Sequence, residues 1–128
     1  QLSFGMLDMA WHTITEPYAG DILAFENKAI APTQVLPTVD GTAMGAAFTH
    51  IFSGGYATGY YGYKWAEVLA ADAYSYFKEK GIFSKEVADK FRTEVLEKGG
   101  HEHPMTLYVN FRGHKPQTKA LIDQMGLE

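Results

Sequence analysis

Residues 48–77 read FTHIFSGGYATGYYGYKWAEVLAADAYSYF, and this stretch decides the predicted fold. Its second half has apolar residues at helical spacing, so we predict a long helix over 57–79 that ends at Gly81. Tyrosines and glycines crowd its first half. Soluble helices seldom contain so much glycine, and cores seldom contain so many phenols. The stretch therefore predicts a helix that has a functional role in addition to packing.

The rest of the chain also predicts helices. Apolar residues recur at helical spacing over 2–11, 22–30, 46–52, 87–96 and 104–111, and again after Pro116. Ser84 and Pro104 suit helix starts, whereas Gly99 and Gly113 suit helix ends. No stretch resembles a strand convincingly, so the predicted fold class is all-α.

Composition excludes several classes of function. The 128 residues contain 11 Lys and Arg against 15 Asp and Glu, a net charge of −4 without a basic run, so we expect no nucleic-acid partner. No apolar stretch approaches the roughly 20 residues that span a bilayer, so we expect no membrane partner. Cysteine is absent, which excludes thiolate metal sites and thiol nucleophiles and fits a reducing, cytoplasmic location.

The chain begins at Gln1 within an apolar helical pattern that has no cap before it. The first residues, QLSFGMLDMAWH (1–12), lack the basic region and cleavage site of a signal peptide. We therefore expect a single helical segment, 1–128, that is a processed product or part of a longer chain.

Tyrosines form a stripe on the predicted long helix. Tyr56, Tyr60 and Tyr63 have i, i+4 and i+7 spacing, and glycines from Gly55 to Gly62 repeat it one residue earlier. Glycine allows a close approach, and the phenols would offer hydroxyl groups to a peptide in the gap. Periodicity alone favours the alternative, in which the rings are core residues and the glycines only allow tight packing.

Histidines give weaker signals. His50 precedes the glycine pair, and a lone histidine more often has a structural role than a catalytic one. The sequence His101-Glu102-His103 resembles a metal cluster, but a zincin site needs histidines at i and i+4 of a helix. Because the spacing here is two residues in a turn, no metal site is predicted in this chain.

Four stretches together carry a resemblance to a known family. They are HIFSGGYATGYYGYKWAEVLAADAYSYF (50–77), GIFSKEVADKFRTEVLEKGG (81–100), FRGHKP (111–116) and ALIDQMGL (120–127). The chain resembles the C-terminal end of the zinc metallopeptidases of the thimet oligopeptidase and peptidyl-dipeptidase family over nearly its whole length. The HIF-x-GGY motif is more similar to the bacterial peptidyl-dipeptidase branch than to thimet oligopeptidase.

The resemblance implies a helical, zincin-like fold with a channel for short peptides. In this family, zinc is bound by the two histidines of an HExxH motif and by a later glutamate. No HExxH occurs in the 128 residues. The resemblance therefore implies zinc in the full-length parent, no cofactor in this chain, and no activity of this chain alone.

The resemblance also implies roles for individual residues. Tyr63 corresponds to a tyrosine that donates a hydrogen bond to the oxyanion, and His50 to a histidine that contacts the substrate backbone. Tyr56 corresponds to a substrate-binding tyrosine, and Tyr60 to another tyrosine of the pocket. The Gly54-Gly55 pair would let these groups close on the substrate.

The implied partners are short peptide substrates, the rest of a parent peptidase chain and, through exposed apolar faces, other copies of this chain. Two alternatives stay open. One is a non-catalytic helical peptide-binding module, and the other is a structural helical domain with aromatic packing.

Overall fold

The computed structural model describes residues 1–127. Its helices are α1 (Leu2–His12), α2 (Ile22–Ile30), α3 (Thr49–Phe52), α4 (Gly62–Lys80), α5 (Lys85–Phe91), α6 (Pro104–Arg112) and α7 (Lys119–Gln124). The 3₁₀ turns Ala31–Thr33 and Gly45–Ala47 and a π-helical turn at Arg92–Leu96 complete the helical structure. No strand occurs within 1–127, so the predicted all-α class is confirmed.

Local signals placed the helix ends in the second half of the chain correctly. The Ser84 side chain accepts a hydrogen bond from the Val87 N–H at 3.4 Å and caps α5. Pro104 begins α6, and Gly113 ends it with a φ of 85°. That left-handed conformation favours glycine, because a Cβ there approaches the following carbonyl.

The predicted beginning of the long helix was wrong, because α4 begins at Gly62 and not at residue 57. Thr58 has a φ of 60° and Gly55 a φ of 80°. Both values lie in the left-handed region, which is incompatible with continuing a right-handed helix. Residues 57–61 form a turn instead.

This correction changes the two predicted stripes. Tyr56 and Tyr60 precede α4 and therefore share no helix face with Tyr63. Gly59 lies outside the helix, and Gly62 is its first residue. Neither glycine therefore lies inside the helix, where glycine lowers helix stability by about 1 kcal/mol relative to alanine.

Residues Gln1–Lys64 form one compact unit, in which α1 packs on α2. Its core contains Leu7, Phe48 and Ile51, with Phe4, Trp11, Ala29, Ile30 and Tyr60 packed against them. Glu26 is buried there, and its carboxylate accepts hydrogen bonds from Trp11 Nε1–H at 3.3 Å and the Gly45 N–H at 3.1 Å. These bonds satisfy the buried charge and hold residue 45 next to α2.

A second compact unit begins at Trp65. The fully buried ring of Phe111 lies 5.1 Å from that of Phe91, 5.5 Å from that of Tyr76 and 6.3 Å from that of Phe77, measured between centroids. These rings join α4, α5 and α6.

A buried polar network also joins α4 to α6. Asp72 accepts hydrogen bonds from the Tyr108 hydroxyl at 2.6 Å and from Arg112 Nε–H at 3.1 Å. Burial and the bond to Asp72 raise the pKa of Tyr108 well above its usual value. Tyr108 therefore stays protonated and keeps donating to the carboxylate.

None of the helices described over 1–127 is both long and apolar enough to cross a membrane.

Candidate functional site

The structure gathers one histidine and three tyrosines of the first unit into an aromatic cluster, which we call the tyrosine cluster. Its members are His50 on α3, Tyr56, Tyr60 and Tyr63. The His50 ring lies 5.7 Å from Tyr56, 5.9 Å from Tyr60 and 6.4 Å from Tyr63, measured between centroids. Tyr63 is 5.2 Å from Tyr56 in a stacked arrangement and 5.1 Å from Tyr60. All four rings predicted to contact a substrate therefore lie together.

The Gly54-Gly55 pair lets the chain reverse direction between His50 and Tyr56. The Gly54 N–H donates to the Thr49 carbonyl at 2.7 Å, and the Tyr56 N–H donates to the His50 carbonyl at 3.0 Å. Gly55 has a φ of 80°. These contacts return the chain to the end of α3 and place the Tyr56 ring beside the His50 ring.

Gly54 also has no room for a side chain, which leads to a prediction. We expect Gly54→Ala to lower the free energy of unfolding by about 1–3 kcal/mol. Its Cβ would lie 2.8 Å from the His50 Cα and 3.0 Å from the His50 carbonyl oxygen. Backbone atoms cannot rotate away as a side chain can, so His50 would be displaced. Urea unfolding followed by circular dichroism measures the change.

Gly62→Ala is the matched control, because a Cβ at Gly62 meets nothing within 4 Å. Gly62 is the first residue of α4, where the preference of a helix interior for alanine does not apply, so we expect this variant to be about as stable as the parent. Equal destabilisation by both changes would show that the close approach at Gly54 is unimportant.

The cluster presents two accessible phenols, and one of them, Tyr63, has a raised pKa. Tyr56 and Tyr63 are 40% and 39% exposed, so a bound molecule can reach them. The side-chain hydrogen bond with Tyr56 raises the pKa of Tyr63 above its usual 10.0, and desolvation and the neighbouring phenols act in the same direction. Since its pKa is raised, Tyr63 is a neutral donor at pH 7 and still donates in moderately alkaline solution.

The raised pKa of Tyr63 can be tested directly. We expect Tyr56→Phe to lower the pKa of Tyr63 towards 10.0, because the change removes the hydrogen bond that contributes most to the shift. The ¹³Cζ chemical shift of Tyr63, followed through an alkaline titration, measures this pKa. Tyr61→Phe should leave it unchanged, since the Tyr61 ring is 60% exposed and makes no ring contact with Tyr63 in the described structure. A pKa that does not fall in Tyr56→Phe would rule out Tyr56 as the cause.

A groove of about 510 Å³ adjoins the cluster within the first unit. Its lining includes Met6, Met9 and Ala10 of α1 together with Tyr60, Tyr61 and Tyr63. Its walls are mainly apolar, with phenols at one border. Such a surface suits a peptide, whose apolar side chains and polar backbone need both kinds of contact.

Sequence reasoning missed Asp8, the buried carboxylate beneath the cluster. Asp8 is fully buried on α1, and its oxygens accept hydrogen bonds from the Thr58 N–H at 2.9 Å and the Tyr60 N–H at 3.0 Å. His12 Nδ1 lies 2.9 Å from Asp8 Oδ1. The available signal was an acidic residue in an apolar helix, four residues before a histidine.

The His101-Glu102-His103 sequence has structural contacts. His103 Nδ1 accepts a hydrogen bond from the Met105 N–H at 3.2 Å and caps α6, whereas Glu102 lies 3.7 Å from the Lys98 amine. Over 1–127, no group of three or more His, Cys, Asp or Glu side chains is arranged to hold a metal ion. The residues present here therefore do not fit a zinc site.

Comparison with known proteins identifies the relatives of this chain. Residues 1–127 match the model of a family described as Peptidase family M3. The chain is 43% identical to Oligopeptidase A of Escherichia coli, over all of this chain and 19% of that protein. It is 39% identical to Dipeptidyl carboxypeptidase of Salmonella typhimurium and 28% identical to Thimet-like oligopeptidase of Dictyostelium discoideum, over 99% of this chain and 19% of each. The chain thus spans about a fifth of the length of these relatives.

Proposed function

Because this chain belongs to peptidase family M3, we propose that it is the substrate-binding and oxyanion-stabilising C-terminal segment of a zinc metallopeptidase that hydrolyses short peptides. The observation that carries the proposal is the tyrosine cluster. Three phenols and one imidazole lie within one aromatic group, two of the phenols are accessible, and an apolar groove adjoins them.

Each member of the cluster has a proposed role. Tyr63 donates a hydrogen bond to the oxygen that becomes negative as the peptide carbonyl is attacked. A neutral donor held in place can contribute several kcal/mol to lowering such a barrier. His50 contacts the substrate backbone, and Tyr56 and Tyr60 hold the peptide. The stacking of Tyr56 on Tyr63 supports a shared task, because it limits the directions in which either hydroxyl can point.

The Gly54-Gly55 pair is proposed to adjust the cluster when a peptide binds. Gly55 has a left-handed φ, and a Cβ there would meet nothing within 4 Å. The pair lies between α3 and Tyr56, so a rotation there moves Tyr56 relative to His50. Movements of this kind gate access in many enzymes.

Zinc is proposed to belong to the parent peptidase, held by residues other than those described here, since the described residues do not fit a zinc site. The rest of that chain is then the main partner of this segment, and this segment alone is expected to be inactive. A cytoplasmic location stays a prediction from the absence of cysteine. Self-association stays a prediction that the exposed apolar side chains support, among them Leu2, Val35 and Phe83.

The experiment that tests the proposed function compares Tyr63→Phe with Tyr74→Phe in the complete peptidase. Cleavage of a quenched fluorescent peptide gives kcat and KM for each variant. Both changes remove one hydroxyl from a tyrosine, but Tyr74 is 54% exposed and belongs neither to the tyrosine cluster nor to the lining of the groove. A loss of kcat confined to Tyr63→Phe supports the proposal.

A further inference from the structure

Asp8 makes an unusually complete set of contacts for a buried carboxylate. It is 0% exposed, and its oxygens lie next to three N–H donors, one from α1 and two from the 57–61 turn. Oδ1 accepts from the Thr58 N–H at 2.9 Å and lies 2.9 Å from His12 Nδ1, whereas Oδ2 accepts from the Tyr60 N–H at 3.0 Å. A buried charge is stable only when it is satisfied in this way.

The neighbours of the His12 ring determine which of its nitrogen atoms carries a proton. Its Nδ1 lies 2.8 Å from the Asp8 carbonyl oxygen as well as 2.9 Å from the carboxylate. Both neighbours are acceptors, so Nδ1 carries a proton and donates to them. The Phe52 ring lies 5.6 Å from the imidazole, measured between centroids, and helps to fix its orientation.

The turn that Asp8 binds is not stable by its own local geometry. Thr58 has a φ of 60°, which is strained for a β-branched residue and persists only where surrounding contacts enforce it. One hydrogen bond to Asp8 comes from the N–H of Thr58 itself, and the other comes from the N–H of Tyr60, two residues later. They provide the contact that the strained turn requires.

The same turn determines where two rings of the tyrosine cluster lie. The Tyr63 N–H donates to the Tyr60 carbonyl at 3.3 Å, and the two rings are 5.1 Å apart. A shift of the backbone at Tyr60 therefore moves Tyr63 as well. The hydrogen bonds that Thr58 and Tyr60 donate to Asp8 come from their backbone N–H groups and not from a phenol, so the effect of Asp8 passes through the backbone.

We infer that Asp8, supported by His12, is a positioning residue that holds the 57–61 turn so that the Tyr60 and Tyr63 phenols point to the peptide. This inference rests on the proposed function of the tyrosine cluster. Its consequence is that a change at Asp8 lowers the rate of the chemical step through Tyr63 and weakens peptide binding through Tyr60.

The test is a double-mutant cycle in the complete peptidase with Asp8→Asn, Tyr63→Phe and both together. Asparagine keeps the size of aspartate, but its amide group would face at least one of the N–H donors. We expect Asp8→Asn to lower kcat about tenfold, the rate equivalent of one lost hydrogen bond, and to raise KM as well, because Tyr60 is displaced together with Tyr63. In the Tyr63→Phe background, the same change should have almost no further effect on kcat.

Asp72→Asn is the matched control for lost stability. Asp72 is 3% exposed and accepts bonds from Tyr108 and Arg112, so this variant also damages a buried carboxylate network. Thermal unfolding is measured for both variants, and we expect only Asp8→Asn to lower kcat.

Three outcomes would overturn the inference. Effects of Asp8→Asn and Tyr63→Phe that multiply would show that Asp8 acts independently of Tyr63. An unchanged kcat in Asp8→Asn, beside a large loss in Tyr63→Phe, would show that the turn needs no support. An unchanged kcat in Tyr63→Phe alone would overturn the proposed function, and this inference with it.

His12→Phe replaces Asp8→Asn in the cycle if that variant does not fold. It removes one of the three donors and leaves the bonds from Thr58 and Tyr60. We expect a smaller loss of kcat, about threefold, that again disappears in the Tyr63→Phe background. Multiplying effects in this second cycle would equally overturn the inference.

Discussion

In the complete peptidase, we expect Tyr63→Phe to lower kcat on a short peptide by about 10²-fold or more, with a much smaller change in KM. The reason lies in the tyrosine cluster. The Tyr63 phenol keeps its proton because its pKa is raised, mainly by its hydrogen bond with Tyr56, and it is 39% exposed. A donor that meets an oxygen only as negative charge develops stabilises the transition state more than the bound peptide.

The control is Tyr74→Phe, which removes a hydroxyl from a ring that is 54% exposed and lies outside both the cluster and the lining of the groove. We expect its kcat to stay within about twofold of the parent. If Tyr63→Phe retained kcat but raised KM, the cluster would bind peptide without taking part in the reaction, as in a non-catalytic peptide-binding module. If neither parameter changed, the rings would have only a packing role.

The largest effect on stability is expected from Phe111→Ala, which should lower the free energy of unfolding by about 3–5 kcal/mol. Phe111 is fully buried on α6, and its ring contacts Tyr76, Phe77 and Phe91. Removing the ring leaves a cavity between α4, α5 and α6, and the surrounding side chains can fill it only in part. Urea unfolding of the chain, followed by circular dichroism, gives the free energy.

Phe83→Ala makes the same chemical change at a side chain that is 99% exposed. We expect it to alter the free energy of unfolding by less than about 0.5 kcal/mol, because the ring contributes almost no buried area. A comparable loss in both variants would mean that Phe83 is covered in solution. Sedimentation of the parent chain would then show whether a second copy covers it.

Much of the fold was predictable from the sequence, because helix ends depend on a few neighbouring residues. Ser84 caps α5, Pro104 begins α6, and Gly113 ends α6 as predicted. Each signal acts through the residue's own side chain or its own φ, so no distant part of the chain is needed to interpret it. The family was equally accessible, since it is carried by contiguous stretches of sequence.

The beginning of α4 could not be predicted in this way. The i, i+4 and i+7 spacing places Tyr56, Tyr60 and Tyr63 on one face of a helix. The turn that precedes α4 also brings their rings together. The grouping of the rings was therefore predicted correctly for an incorrect reason. Helix periodicity describes spacing alone and cannot show that Thr58 adopts a positive φ.

The sequence by itself determined the all-α class and most helix boundaries, because these depend on contacts within a few residues along the chain. Only the tertiary structure decided how the 57–61 turn is held and that Asp8 holds it. The partners of Asp8 at Thr58 and Tyr60 are 50 and 52 residues away in sequence. A contact over that separation exists only after α1 has packed in the folded unit, where burial makes satisfying the carboxylate obligatory.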